Sequence, residues 1–260
     1  MDWLKALVLG ILQGLTEFLP VSSSGHLEIG KALLGIELKD NLTFDLIVHA
    51  GTVCSTIFVF RKDISQLLKG LFRFTWNYET QFISKLILSA IPVVVVGLFF
   101  EGFIEKLFEG NLFLVGCMLL VTAILLAFTH YAKPKEKNIS FFDAFIIGIA
   151  QTIAVLPGMS RSGATIATAL LLKNKRENAA RFSFLMVLLP ILGKAALDII
   201  QGKTVTEEIT IIPVLTGFFA SFLVGLFACR LMIRIVKQSK LIYFAFYCAI
   251  VATLTLIFSW

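Results

Sequence analysis

The polar stretch that decides the fold is Gln13-Gly-Leu-Thr-Glu17-Phe-Leu-Pro20-Val-Ser22-Ser23-Ser24-Gly25-His26, within an otherwise apolar part of the chain. It brings an amide, a carboxylate, three hydroxyls and an imidazole together within fourteen residues. A second stretch echoes it: Gln151-Thr-Ile-Ala-Val-Leu-Pro157-Gly158-Met-Ser160-Arg161-Ser162-Gly163-Ala-Thr165. An offset of 138 residues aligns Gly10 with Gly148, Gln13 with Gln151, Ser22 with Ser160, Ser24 with Ser162 and Gly25 with Gly163. The sequence therefore predicts two related halves, each with one polar, broken segment.

The composition is that of an integral membrane protein. Of 260 residues, 58% are hydrophobic and 15% are charged, and the mean hydropathy is +0.90. Water-soluble domains carry about 25% charged residues. The net charge of +6 is explained by cytoplasmic loops rich in Lys and Arg, so we expect no nucleic-acid partner. Residues 1–260 are predicted to form a single membrane domain.

Each polar stretch predicts a hairpin of two half-helices that enters the membrane and returns on the same side. The apolar run 4–18 is too short and too polar to cross a hydrocarbon layer of about 30 Å. Pro20 and the serines then break the helix, which predicts a re-entrant hairpin at about 1–35. The second hairpin is predicted at about 141–173. Irregular backbone at this depth requires surrounding protein or a wet cavity.

Six longer apolar segments are predicted to span the membrane. They lie at about 42–60, 85–100, 112–131, 182–200, 210–230 and 241–259. Three crossings separate the hairpins, so the halves have opposite orientation. The predicted fold is an all-α polytopic membrane protein with an inverted repeat, six transmembrane helices and two re-entrant helical hairpins. The first repeat covers 1–131 and the second covers 139–260.

The loop charges predict the orientation. Loops at 61–85, 131–140, 173–181 and 230–240 fall on one side and hold sixteen of the 23 Lys and Arg residues. The opposite side holds five. By the positive-inside rule both termini face outward, and the two hairpin tips enter from opposite sides.

The first tip carries candidate acid–base and nucleophilic groups. Gln13 and Glu17 share a helix face, and a carboxylate in hydrocarbon needs a cavity, a cation or a partner. The start of the next half-helix favours an anion, with hydroxyls and backbone N–H groups supplied by Ser22, Ser23, Ser24 and Gly25. A plain helix cap would need only one of these serines. His26 follows as a base, an acid, a nucleophile or a hydrogen-bonded packing residue.

The second tip supplies a fixed positive charge. The guanidinium of Arg161 is suited to two hydrogen bonds with a phosphate, although it could instead pair with Glu17 or reach an interface. Ser160, Ser162, Gly163 and Thr165 are the further binding candidates of this tip. In the first span Asp45 and His49 also share a face, as cavity-lining groups or as a structural pair.

These motifs resemble the undecaprenyl-diphosphate phosphatase family of bacterial membranes, of the bacitracin-resistance type. The resemblance rests on Gln13-x-x-x-Glu17, Pro20-Val-Ser-Ser-Ser-Gly-His26 and Pro157-Gly-Met-Ser-Arg-Ser-Gly-x-Thr165, and it covers essentially the whole chain. It implies a polyprenyl diphosphate lipid substrate, recycling of the peptidoglycan lipid carrier, bacitracin resistance and a bacterial cytoplasmic (inner) membrane. It also implies a divalent cation, Mg²⁺ or Ca²⁺, for which Glu17 is the candidate ligand. Family members often carry glutamate at the position of Gln13, and an amide is a weaker ligand for a hard cation.

The favoured hypothesis is a phosphatase with Glu17, Ser23, His26 and Arg161 as its catalytic residues. Ser23 is the preferred nucleophile, with His26 or an activated water as the alternatives. The substrate-binding candidates are Gln13, Ser22, Ser24, Gly25, Ser160, Ser162, Gly163 and Thr165. The alternative is an inverted-repeat transporter or flippase of a lipid-linked or anionic substrate. Membrane lipids are expected partners, and a homodimer is compatible with either function.

Overall fold

A computed structural model of the chain describes residues 1–36, 42–100, 102, 107, 111–132, 137–200, 211–238 and 240–258. Within these residues the chain forms α1 (Trp3–Thr16), α2 (Ser23–Leu33), α3 (Leu42–Val59), α4 (Arg61–Leu71), α5 (Tyr78–Phe99), α6 (Leu112–Phe128), α7 (Phe141–Ile153), α8 (Arg161–Leu171), α9 (Arg176–Met186), α10 (Leu188–Ile200), α11 (Ile211–Lys237) and α12 (Ile242–Phe258). A short 3₁₀ turn, Thr129–Tyr131, extends α6. The prediction of an all-helical membrane protein is confirmed.

The helices of both hairpins lie where the sequence predicts them. α1 packs against α2, and α7 packs against α8. The first helix of each hairpin, α1 or α7, is its outer arm and begins with a side-chain cap. At α1, Asp2 accepts a hydrogen bond from the backbone N–H of Lys5 at 2.8 Å. At α7, Ser140 and Asp143 form a reciprocal capping box. Such caps satisfy backbone donors that a helix start leaves free.

The predicted span 182–200 differs from a single straight helix. The chain is helical from Arg176 to Met186 and again from Leu188 onward, with a break at Val187. Pro190 explains the break, because its ring collides with the carbonyl of the residue four positions earlier, Met186, and it has no N–H to donate.

Two predicted loops contain helix. α4 occupies much of the predicted loop 61–85, and its axis is bent by 71° from that of α3. α11 continues to Lys237, seven residues beyond the predicted end, so Arg234 and Lys237 lie in its last turn. Cations there are favoured by the negative end of the helix dipole. The basic residues therefore lie on helix ends as well as in loops.

Fewer helices meet the length required of a membrane span than the six spans that the sequence predicts. In the part of the chain that the structure describes, three helices are long and apolar enough to cross a membrane: Tyr78–Phe99, Leu112–Tyr131 and Ile211–Lys237. The bent pair of α3 and α4 would make a fourth. α12 has 17 residues, the lower limit for a span, and α10 has 13. The protein is a multi-pass membrane protein, and the count of six spans stays a prediction.

Small residues bring the helices of the two halves together. α1 packs on α11 and α7 packs on α5. An added Cβ at Gly10 would lie 2.6 Å from the carbonyl oxygen of Gly217, and one at Gly148 would lie 2.9 Å from Cα of Ser89. Membrane helices associate through such close backbone contacts, since lipid supplies no hydrophobic force between them. The outer arm of each hairpin is thus fixed against a long helix of the other half.

We expect Gly148→Ala to lower the free energy of unfolding by about 1–3 kcal/mol, the usual cost of an extra methyl group in a tight contact. Gly97→Ala in α5 is the matched control, because no atom lies within 4 Å of its added Cβ. It should be neutral or slightly stabilising, since Ala is the better helix former. Thermal unfolding of both variants in the same detergent measures the difference. Equal midpoints would contradict the close packing of α7 on α5.

Candidate active site

The tips of the two hairpins meet in the interior. An added Cβ at Gly25 would lie 3.1 Å from Cα of Gly158, and one at Gly163 would lie 3.3 Å from Cβ of Pro20. The Ser162 hydroxyl donates to the backbone carbonyl of Leu19 at 3.2 Å. The two polar stretches, far apart in sequence, therefore form one site.

Both tips use the same cap to begin their inner helices. Ser22 Oγ accepts from Gly25 N–H at 3.2 Å, and Ser160 Oγ accepts from Gly163 N–H at 3.0 Å. In each tip the cap hydroxyl lies 3.3 Å from the hydroxyl two residues later, on Ser24 or Ser162. The capping serines are buried. Ser22 and Ser160 are thus helix caps, and the hydroxyls of the other serines in the two tips are not needed for capping.

The backbone of each tip has one left-handed residue. Ser22 has φ of +70°, which is uncommon for a residue with a side chain. Gly158 has φ of +89°, and an added Cβ there would lie 2.7 Å from Cα of Val115. Only glycine fits at this second position. Strained backbone of this kind occurs at functional sites where the surrounding structure holds it.

Each tip is supported by a helix of the opposite half. Ser160 N–H donates to Thr122 Oγ1 of α6 at 3.0 Å. The first tip is supported from α12, where Cys248 Sγ lies 3.5 Å from the carbonyl oxygen of Pro20. Tyr247, also on α12, places its hydroxyl 2.8 Å from His26 Nε2. The two tips are therefore held in equivalent ways.

Glu17 is the centre of the polar contacts between the tips. Its Oε2 accepts from Ser23 Oγ at 2.6 Å and from Gln13 Nε2 at 3.0 Å. Its Oε1 pairs with Nη2 of Arg161 from the other hairpin. His49 Nε2 lies 3.8 Å from Oε2. Of the predicted catalytic residues, Ser23 and Arg161 thus each contact Glu17, and the pairing of Arg161 with Glu17 is the one that the sequence named as an alternative to phosphate binding.

Packing beside Glu17 fixes its position. The next residue, Phe18, is buried in the largest apolar core and contacts Phe184 of α9 edge to face at 5.7 Å between ring centroids. Phe184 also contacts Phe60. Buried aromatic pairs add to the stability that area burial provides. The carboxylate is therefore held by a rigid apolar anchor.

A cavity of about 230 Å³ opens beside this network. Its polar lining includes Glu17, Ser23, Ser24, His49, Gln151, Ser160, Arg161 and Ser162. Its apolar lining includes Val93 of α5 and Val187, Pro190 and Ile191 at the α9–α10 break. The cavity therefore has a polar wall from the hairpins and an apolar wall from α5 and α10.

Several predicted site residues lie outside the cavity lining. His26 Nδ1 lies 2.8 Å from the carbonyl oxygen of Ser22, so this nitrogen carries the hydrogen and Nε2 accepts from Tyr247. Thr165 is buried and its hydroxyl lies 2.5 Å from that of Ser183. Gln13, Ser22, Gly25 and Gly163 shape the tips without lining the cavity.

The sequence left open whether Asp45 and His49 line the cavity or form a structural pair with each other, and the structure places the two side chains apart in their contacts. His49 lines the cavity, and Asp45 forms an ion pair with the buried Lys31. His49 Nδ1–H donates to the carbonyl oxygen of Asp45 at 2.7 Å, and Nε2 faces Glu17 at 3.8 Å. Tyr247 was missed, because one tyrosine in an apolar helix gives no sequence signal. Gln151 was missed as a site residue, although its alignment with Gln13 was the signal.

A divalent cation held by the protein alone does not fit this donor set. Among the described residues that line the cavity, Glu17 is the one carboxylate, and both its oxygens already accept hydrogen bonds. No group of three or more His, Cys, Asp or Glu side chains that could hold a metal occurs among the residues that the structure describes. Mg²⁺ is often held by one or two carboxylates together with substrate phosphates.

The fold and site define a helical membrane protein with a buried, arginine-containing cavity suited to a phosphorylated ligand. The family model described as bacitracin resistance protein BacA matches residues 6–254. The chain is 53% identical to a protein of Bacteroides fragilis named undecaprenyl-diphosphatase, over the whole chain and 99% of that relative. Proteins of the same name from Bacteroides thetaiotaomicron and Parabacteroides distasonis are each 54% identical, over 96% and 98% of both chains. The chain belongs to the bacitracin resistance protein BacA family.

We expect Arg161→Ala to lower the free energy of unfolding by about 3–5 kcal/mol, because it leaves the buried Glu17 carboxylate without its cation. Adding Glu17→Gln to this variant should recover part of the loss, since the uncompensated charge is then removed. Unfolding midpoints of the two single variants and the double variant form the cycle. Strictly additive losses would contradict the coupling of the two hairpins through this pair.

Proposed function

We propose that this chain hydrolyses undecaprenyl diphosphate to undecaprenyl phosphate and inorganic phosphate, which recycles the lipid carrier of peptidoglycan synthesis and confers bacitracin resistance. The observation that carries the proposal is the contact of Glu17 with both Ser23 and Arg161 in one cavity. A nucleophile, a base and a phosphate-binding cation are the parts that such hydrolysis needs. The relatives named undecaprenyl-diphosphatase support the same substrate.

In the first step Ser23 Oγ attacks the terminal phosphorus and its proton passes to Glu17 Oε2, which lies 2.6 Å away. The bond to the bridging oxygen breaks, and undecaprenyl phosphate leaves with the electron pair. Arg161 and the N–H groups of both inner helices stabilise charge on the transferred phosphoryl group. His26 is less suited to attack, because both its ring nitrogens are engaged.

In the second step a water attacks the phosphoserine. His49 Nε2 accepts the proton of that water, and the proton on Glu17 returns to Ser23 Oγ as the phosphate leaves. His49 is suited to this role because it lines the cavity, its Nδ1–H donates to the backbone carbonyl oxygen of Asp45, and its Nε2 faces the site 3.8 Å from Glu17 Oε2. His26 acts as a positioning residue that links the first tip to Tyr247.

The polyprenyl tail is accommodated by the apolar wall of the cavity. Val93 on α5 and Pro190 on α10 line that wall. A second, apolar cavity of about 290 Å³ lies between the same two helices, lined by Ile87, Ala90, Ile91, Val94, Val95 and Leu189. Neighbouring residues of α5 and α10 thus line both cavities, so a lipid tail can leave the polar site toward the bilayer.

The membrane arrangement that we propose is an inverted repeat in the bacterial cytoplasmic (inner) membrane, with both termini outside. The helix contacts support the inverted repeat, because equivalent helices of the two halves pack across the halves in the same way. α1 of the first half packs on α11 of the second, and α7 of the second half packs on α5 of the first. α6 and α12, the last helices of the two halves, pack on each other. The excess of Lys and Arg on one side supports the orientation. A homodimer is part of the same proposal.

The divalent cation is proposed to bind together with the diphosphate, because Mg²⁺ sites in proteins commonly combine one or two carboxylates with substrate phosphates. Glu17 is the protein carboxylate best placed to bind it. Gln13 has an amide at the position where many family members have a second carboxylate, and an amide is the weaker ligand for a hard cation. We therefore propose that the protein binds the cation weakly without substrate. When bound, the cation neutralises charge on the diphosphate.

Transport of a lipid-linked or anionic substrate is the second candidate function. The exchange of helix contacts between halves favours it, since inverted repeats with broken helices are typical of transporters. A carrier would need the binding groups, but it would not need a serine hydroxyl bonded to a buried carboxylate. The phosphatase explains more of the site.

We expect the purified protein in detergent to release phosphate from a polyprenyl diphosphate with Mg²⁺ or Ca²⁺. Ser23→Ala, Glu17→Ala and Arg161→Ala should each lower kcat by at least about 100-fold, the range for loss of a general base or a charge-stabilising group. Ser84→Ala is the control, because Ser84 bonds within its own helix, to Thr80. If the wild type released no phosphate with either cation, the phosphatase function would be contradicted. If Ser23→Ala, Glu17→Ala and Arg161→Ala all kept wild-type activity, the assignment of the site residues would be contradicted.

We expect Gln13→Glu to lower the Mg²⁺ concentration needed for half-maximal activity, because a second carboxylate is placed beside Glu17. Without added cation the same variant should be less active than the wild type, since two adjacent carboxylates repel and one hydrogen bond is lost. Titration of phosphate release with Mg²⁺ measures both effects. An unchanged cation profile would show that residue 13 lies away from the cation.

A further inference from the structure

Gln151 is a buried amide for which the protein supplies no hydrogen-bond partner. It is 2% exposed, and both Nε2 and Oε1 are without a partner. Burial of such a group costs free energy unless a partner is supplied, so each case in a native structure calls for an explanation. Gln151 also lines the cavity that contains Glu17 and Arg161. Its missing partner is therefore expected inside that cavity.

The two hairpins differ at the position that would supply a hydrogen-bond acceptor to this amide. In the first hairpin the aligned residue Gln13 donates to Glu17, four residues later on the same face. In the second hairpin the residue four positions after Gln151 is Val155, which has no polar atom. The second hairpin therefore has the amide of the first but lacks a carboxylate four residues later to accept its hydrogen bond. The acceptor must come from outside the hairpin.

We propose that Gln151 binds the phosphate head group of the substrate directly, with Nε2 donating to a phosphate oxygen. This inference rests on the proposed function of the cavity. Phosphate oxygens are strong acceptors, and a hydrogen bond to a charged group is stronger than one between neutral groups. Gln151 thereby gives the second hairpin two phosphate-binding side chains, a neutral donor and the charged Arg161.

A structural role and a binding role of Gln151 predict opposite effects on stability. If Gln151 served the fold, its replacement by an apolar side chain would destabilise the protein. If its partner is the substrate, Gln151→Leu removes a buried amide that has no partner in the free protein, and the unfolding midpoint should stay equal or rise. Substrate binding should weaken in the same variant. The two measurements together separate a binding role from a structural one.

The experiment compares the wild type, Gln151→Leu and the control Thr152→Val in detergent. Thr152 is the next residue of α7, and its hydroxyl bonds to Gly148 within the helix. We expect Gln151→Leu to raise KM for polyprenyl diphosphate by about 10- to 100-fold, the range for loss of a hydrogen bond to a charged group. Inorganic phosphate should raise the unfolding midpoint of the wild type and of Thr152→Val more than that of Gln151→Leu.

An unchanged KM for Gln151→Leu would overturn the proposal, whatever its unfolding midpoint. A lower midpoint with an unchanged phosphate response would also overturn it, in favour of a structural amide. If the wild type released no phosphate, the proposed function would fail instead. The midpoint shift with inorganic phosphate would still decide whether Gln151 binds phosphate.

Discussion

The ion pair between Glu17 and Arg161 is the interaction on which the site depends. The two residues are 144 positions apart, and their side chains are 8% and 19% exposed. Either charge alone in an apolar interior would cost several kcal/mol. The pair is therefore tolerable only while the two hairpin tips remain in contact. The folding of each half is linked to that of the other, and the cavity exists because of this contact.

The residues that align between the two hairpins form the frame of the site, and the positions at which the hairpins differ carry the groups that we propose for its chemistry. The caps Ser22 and Ser160 are equivalent, as are the supports from α12 and α6. Under the same offset of 138, Ser23 aligns with Arg161. The proposed nucleophile and the proposed phosphate-binding cation thus occupy equivalent positions, one at the start of each inner helix. Two similar hairpin tips with different residues at one position form an asymmetric site.

The sequence was sufficient for the hairpins and for the polar contents of the cavity, because broken helices and polar residues are conspicuous in an apolar chain. It was not sufficient where partners are distant in sequence and chemically common. His26 was predicted as a catalytic residue, but its contact with Tyr247, 221 residues away, could not be predicted from the sequence. The break at Val187 was missed, although Pro190 signals it, because the apolar run continues through it. Hydropathy measures composition and does not detect a missing hydrogen bond.

The tips carry features that lower stability, and these features have a common explanation. Ser22 adopts a left-handed φ, and Gln151 has an amide without a partner. A well-packed aromatic core, with Phe18 and Phe184 in contact, lies directly behind the tips and offsets such costs. A protein selected only for stability would replace a buried unpartnered amide by an apolar side chain. Its presence in the cavity, beside an arginine and two helix N-termini, is explained by a polar, anionic ligand that completes the site.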